Sequence, residues 1–188
     1  MEDLLARSQV PQTPLLSHVT AGTGAAGGRA VRDEAQGSQE PMNGIVIRNG
    51  LASDAVAIAR LLGDLGYPSE LASIPKRLES LAADGRTVVF VAEQSGDVVG
   101  LATGQAFSAI HVDGEGVWLT SVVADPRVRR RGVGRDLVAA VEGWALARGC
   151  SRISVVTGLH RADAHSFYER LGYALAGRHY KKSLAPEA

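Results

Sequence analysis

Four arginines and two glycines stand together in the run Arg129-Arg130-Arg131-Gly132-Val133-Gly134-Arg135, the part of this chain best suited to holding an anion. Glycine lets a ligand come close to the backbone, and the first N–H groups of a helix have no partner within it. The helix dipole and the fixed arginine charge both favour negative charge at such a point, so the chemistry indicated is binding of a phosphate or pyrophosphate. Two well-known phosphate signatures do not fit. A Walker loop ends in Gly-Lys-Ser/Thr, whereas this one continues Gly134-Arg135-Asp136, and a dinucleotide fingerprint needs a third glycine where Leu137 stands. A basic helix cap with an ordinary glycine turn stays open at this point as the plain alternative.

The flanking sequence supplies the elements that hold this loop. Val122, Val123 and Ala124 close an apolar run of strand length, and Asp125-Pro126 ends it because proline has no N–H to give to a ladder. Leu137, Val138, Val141, Trp144, Ala145 and Arg148 then recur at helical spacing, with Gly132 and Gly134 at the helix start. Residues 117–148 therefore read as strand, turn, glycine–arginine loop and long helix.

A chain of 188 residues accommodates one ordinary domain with a sizeable core and a tail. Its 20 basic and 20 acidic side chains balance, which argues against a polyanion-binding surface beyond the local arginine patch. Cys150 is the one cysteine, so neither an internal disulfide nor a cysteine-rich metal site is expected; its place between a helix and a strand makes it a small core residue. No apolar run has the length of a membrane span, and the first residues lack a secretory pattern, which gives an expectation of a cytoplasmic protein with no metal.

Residues 1–43 are rich in small, flexible and polar side chains and read as a disordered extension, with Met42 as an alternative start and at most a short helix over 3–6. The domain is expected over 44–188. It opens with a strand at 45–48, then a helix capped by Ser53 or Asp54 with Val56, Ile58, Ala59, Leu61, Leu62 and Leu65 on one face. Gly66-Tyr67-Pro68 stops it, with Tyr67 able to reach an acceptor substrate but expected to staple into the core. A second helix covers 69–83, with Pro75 as a kink or restart. Strands follow at 87–93 and 98–110, joined by a hairpin signal, with Gly100 and Gly104 marking bends or close backbone approach. After the long helix come a strand at 153–156, a helix at 162–171 and one or two closing strands over 173–184. The strand–helix–strand unit across 117–156 calls for a parallel pair. The expected fold is α/β, a mixed, mostly antiparallel sheet of six to seven strands with helices on both faces.

Two segments together resemble the GNAT superfamily of acetyl-CoA-dependent N-acetyltransferases. One is strand-Asp-Pro followed by Arg129-x-x-Gly132-x-Gly134. The other is the closing helix with Ala164, Phe167-Tyr168 and Gly172-Tyr173, in register and in the right order. The resemblance implies that coenzyme A lays its diphosphate on the backbone of Arg129, Arg130, Arg131, Gly132, Val133, Gly134 and Arg135. It further implies that the pantetheine arm pairs like an added strand with Val122 and Ala124, where the sheet opens between 122–124 and 153–156. A backbone N–H near Val123 or Ala124 would polarise the thioester carbonyl. Arg161 stands where the family often has asparagine, a departure that leaves the usual cofactor contact open at this point; an arginine there could meet a phosphate instead.

Tyr168 holds the position of the family's general acid, and an ordinary tyrosine, with a pKa near ~10, keeps its proton at neutral pH for a departing thiolate. A core-facing helix tyrosine beside Phe167 is the plain alternative. An alkyl amine of pKa about 10.4 must lose a proton before attack, at a cost of roughly 4.6 kcal/mol at pH 7. Glu115 is the base candidate, with Asp113, His111 and His165 beside it, and Thr120 or Ser121 as holders of a relay water. No residue is placed as a covalent nucleophile, so direct attack on acetyl-CoA by a primary amine in a ternary complex is the expected reaction. The acceptor is a small-molecule or peptide amine. A non-catalytic coenzyme A-binding module on the same fold is the alternative, nucleic-acid binding through 127–135 is not expected, and a homodimer stays open.

Overall fold

The computed structural model describes residues 44–184. The expectations for residues 1–43 lie outside the described residues. The first strand, β1 (Ile45–Asn49), leads into helix α1 (Ala55–Leu65), which buries Ala55, Ile58 and Leu61. Asp54 does not cap α1. Its carboxylate accepts the Leu51 N–H at 2.8 Å and two bonds from Arg48 at 2.7 and 2.9 Å, because burial beside a strand arginine offers it a charged partner. Helix α2 (Ile74–Asp84) has Pro75 in its first turn, where the missing N–H costs nothing, so the proline starts this helix and does not kink it. Tyr67, between the two helices, is 68% exposed and does not staple into the core.

Strands β2 (Thr87–Gln94), β3 (Asp97–Ala109) and β4 (Val112–Ala124) continue the sheet, helix α3 (Val133–Ala147) crosses it, and β5 (Arg152–Val155) and α4 (Ala162–Arg170) follow. The five strands lie in the order β1-β2-β3-β4-β5, antiparallel except for the parallel β4–β5 pair. Among the described residues the sheet has five strands, not six or seven, because no strand forms over 173–184. There Gly177, Arg178, Lys181 and Lys182 break the apolar alternation, and Leu175, Tyr180 and Leu184 remain 95%, 82% and 89% exposed. Ordering that segment against a strand of four residues gains too little burial to offset its entropy.

Two apolar clusters sandwich the sheet. One packs Val133, Leu137, Val138 and Val141 of α3 against Val117 and Leu119 of β4; the other packs α1 and Ile74 against Val91, Leu101 and Val123. Gly100 and Gly104 allow α3 to approach β3 closely: a Cβ at Gly104 would stand 2.6 Å from Val141 Cγ1, and one at Gly100 2.9 Å from Leu137 Cδ1. A bulge then divides β4. Thr103 faces Ser121 and Gly104 faces Leu119, so Thr120 is an extra residue without a partner on β3. Before it, Val117 and Leu119 point to α3; after it, Val122 and Ala124 do, and Val123 joins the opposite cluster. Among the described residues no helix is long and apolar enough to cross a membrane.

Candidate active site

The β4–β5 pairing runs from Gly116↔Arg152 to Leu119↔Val155 and stops there. Beyond it, Val122, Val123 and Ala124 pair with β3 on one side only, so the edge of β4 facing away from β3 carries free backbone N–H and C=O groups. The sheet is split at this end, and a strand-like ligand can add to that edge by the ordinary ladder pattern.

The strand ends at Asp125, whose N–H donates to the Val99 carbonyl at 2.8 Å. Its side chain is 2% exposed and is gripped by two arginines: Arg60 Nη1 at 2.6 Å, and Arg127 through Nε at 3.0 Å and Nη2 at 2.8 Å. The Arg127 N–H donates to it as well, at 2.9 Å. The Arg127 bonds, first among these contacts, hold the carboxyl well below the usual carboxylate range. This clamp fixes where the chain leaves the sheet and enters the loop.

In the loop Arg130 takes φ +64 and Gly132 φ +87, the left-handed conformation natural for glycine and uncommon for arginine. Among the described residues, the backbone N–H groups of Arg130, Gly132, Val133, Gly134 and Arg135 have no backbone acceptor, while that of Asp136 closes on the Gly132 carbonyl at 3.0 Å. Arg129, Arg130, Arg131 and Arg135 are exposed around this row of donors. A concave set of free N–H groups at the head of a 15-residue helix, ringed by cations, suits a diphosphate.

The two sequence signals meet in space. A Cβ on Gly134 would stand 3.3 Å from Cζ of Phe167, so the α4 aromatic packs on the start of α3. Tyr168 packs edge-on against both Phe167 and Tyr173, with centroids 5.0 and 5.4 Å apart. Among the described residues its hydroxyl makes no hydrogen bond; burial, only partly opposed by the charge of Arg161, pushes its pKa up to about 12. The Tyr173 hydroxyl donates to Glu142 at 2.9 Å and is raised further, first by burial and then by this bond.

The other acid–base candidates do not gather there. Glu115 lies on the α3 side near the opposite end of β4, held by Arg86 at 3.2 Å and Arg148 at 3.0 Å. His111 and Asp113 are exposed near the β3–β4 turn. His165 Nε2 is 3.1 Å from the Gly158 carbonyl, and its N–H tautomer donates to that oxygen. Thr120 shares a 2.6 Å hydroxyl–hydroxyl bond with Thr103 beside the split. Sequence reading missed the Asp125 clamp, since Arg60 stands 65 residues away, and missed the ring contacts around Trp118.

Residues 57–173 match the model of the acetyltransferase (GNAT) family. The chain belongs to the GNAT family. Its relatives include an IAA acetyltransferase of Azospirillum brasilense, 32% identical over 142 residues covering 72% of this chain and 87% of that protein. The uncharacterized N-acetyltransferase YhdJ of Bacillus subtilis is 24% identical over 123 residues, covering 65% and 86%. Among solved structures, an aminoglycoside N-acetyltransferase in complex with CoA superposes with a TM-score of 0.67 at 20% identity, over 75% of this chain and 95% of that one. The split sheet and the arginine loop are thus parts of a GNAT fold, and 23% identity to a transcriptional regulator of Bacillus halodurans at TM-score 0.68 carries the fold alone.

Proposed function

We propose that this GNAT protein is an N-acetyltransferase that moves an acetyl group from acetyl-CoA to a primary amine by direct attack in a ternary complex. The observation that carries the reading is the continuity of the split β4 edge with the row of free N–H groups at the start of α3. Val122 and Ala124 offer a ladder to the pantetheine arm, and Arg129, Arg130, Arg131, Gly132, Val133, Gly134 and Arg135 enclose the diphosphate. Arg161, exposed at the head of α4, adds charge beside them. Acetyl-CoA supplies the activated thioester carbonyl. The backbone N–H of Val123 or Ala124 polarises that carbonyl, as preorganised donors do in acyl transfer.

Tyr168 is the proposed acid. At a pKa of about 12 it keeps its proton at every working pH. Handing that proton outright to a thiolate of thiol pKa about 8.5 is uphill by roughly 4.8 kcal/mol. Tyr168 therefore works chiefly as a hydrogen-bond donor to the departing sulfur. Glu115, held by two arginines near the opposite end of β4, takes no part in this reading. The amine loses its proton to water relayed past the Thr103–Thr120 hydroxyl pair.

Isothermal titration with acetyl-CoA, together with a thiol-release assay over a panel of amines, tests the assignment. Binding by the native protein and its loss in Gly134→Asp are expected, because a carboxylate at that position repels phosphates. No binding by the native protein refutes the reading.

A further inference from the structure

The sheet face opposite α3 is only partly covered. Helices α1 and α2 lie over Val91, Leu101 and Val123, while Gln105 and Trp118, paired across β3 and β4, stay exposed, with Ser154 beside them in register on β5. Phe107 stacks on Trp118 there, ring centroids 5.5 Å apart and planes 27° apart. The Arg152 guanidinium lies 5.3 Å from the centre of the Phe107 ring.

Gly116 makes this arrangement possible. A Cβ at that position would stand 2.8 Å from Arg152 Nε and 2.9 Å from Phe107 Cζ, so only glycine lets both lie flat across the strand. Among the described residues Arg152 pairs with no carboxylate, whereas Arg48, Arg60, Arg86, Arg127, Arg135 and Arg148 each do. A fixed cation on an aromatic floor, open to solvent and uncompensated, is suited to an anion joined to an apolar group.

We propose that this face is the distal half of the acceptor site and that it selects an acidic peptide. The inference rests on the acetyltransferase reading above. Strands rise about 3.3 Å per residue, so Gly116, with Arg152 beside it, lies roughly 20 Å along β4 from Val122, and somewhat less across the bulge. A free amino acid cannot place its amine at one point and its carboxylate at the other. An extended peptide at about 3.3–3.6 Å per residue does so with four to six residues. Its α-amine reaches the split, an apolar or aromatic side chain lies on Trp118, and a carboxylate one or two positions further meets Arg152. A polycationic amine would set an ammonium against Arg152 and is disfavoured.

The test uses two synthetic pentapeptides with free α-amines and amidated C-termini, Ala-Ser-Ala-Phe-Glu and Ala-Ser-Ala-Phe-Gln, and the full chain with CoA present. Tryptophan fluorescence reads binding; the same titration in Trp118→Leu identifies the part due to that ring, since the chain has one other tryptophan. The acidic peptide is expected to bind about tenfold or more tighter than its glutamine twin, the size of one hydrogen bond to a charged group. Arg152→Gln should erase the preference and Arg152→Glu reverse it toward a lysine-ended peptide. Thiol release should show the difference in KM more than in kcat. Equal affinity for the two peptides, no binding of either, or a preference that survives Arg152→Gln overturns the proposal. Calorimetry with CoA on the same samples keeps the two readings apart. CoA binding without discrimination between peptides sinks the acceptor inference alone. Absence of CoA binding sinks the acetyltransferase reading, while the fluorescence titration still reports the carboxylate preference.

Discussion

Replacing Asp125 by asparagine keeps the shape of the side chain and removes its charge, which is the most direct way to loosen the junction between β4 and the arginine loop. The carboxylate accepts four hydrogen bonds, three from guanidinium nitrogens and one from the Arg127 N–H. Breaking a buried ion pair costs about 3–5 kcal/mol when the surviving charge is stranded. Neither arginine is stranded here, because the Arg60 and Arg127 side chains are 42% and 70% exposed and rehydrate. The loss is therefore nearer that of hydrogen bonds to a charged group, about 1.5–3 kcal/mol. At roughly 2–4 °C per kcal/mol for a chain of this size, the melting temperature should fall by about 3–12 °C at pH 7. The dependence on pH has a definite sign. The folded-state pKa is depressed, so the stabilisation is fully present above the unfolded value of about 3.9 and is lost as pH falls through the folded value. Melts followed by circular dichroism should thus show the gap between native and Asp125→Asn proteins closing as pH drops from 5 toward 2. A variant that melts with the native protein at pH 7, or a gap that stays constant into acid, refutes the reasoning.

Tyr168→Phe removes a hydroxyl that makes no hydrogen bond among the described residues, so packing should persist while turnover falls by about a hundredfold with little change in acetyl-CoA affinity. Because burial carries this tyrosine to about 12, the native pH–rate profile should show no loss from its ionisation between pH 9 and 11; a descending limb near 10 that disappears in the Phe variant would contradict this. Gly104→Ala places a Cβ 2.6 Å from Val141 Cγ1, and overpacking of this kind costs about 1–3 kcal/mol, to be read as a lowered melting temperature that Val141→Ala in the same chain partly restores.

The arginine loop and the helix behind it were legible because their signals are local: a proline ends the strand, glycines begin the helix, and five residues of α3 with the capping Arg148 recur at helical spacing. The place where the sheet splits came from resemblance, and the β4–β5 register bears it out. What failed was non-local. Asp54 seemed a cap on residue type and was drawn instead to Arg48 by burial. The closing strands over 173–184 were read from a few apolar residues, yet pairing needs a neighbour long enough to hold them, and β5 has four residues. Arg152 and Phe107 are separated by a turn, β4, the arginine loop and α3, and no local pattern in the sequence links them. Glu115 is in the right strand but at its far end, held there by Arg86 and Arg148.

The extra residue in β4 also bears on how such a chain can diverge. Thr120 resets the alternation, so even-numbered positions before it look toward the open face and even-numbered positions after it look toward α3. The strand is two segments joined out of phase. Point substitutions at 116 or 118 rewrite the exposed surface while the segment that runs into the arginine loop keeps its packing. Loss of the single residue Thr120 only removes the offset: Leu119 then precedes Ser121 in regular alternation, Val117 and Leu119 stay under α3, and Trp118 stays on the open face. Loss of a residue further up the strand, at Val117 or Trp118, is a different matter, because with the downstream half anchored by Asp125 everything before the gap turns over. One-residue deletions in β4 should therefore be selected against far more strongly away from Thr120 than at it.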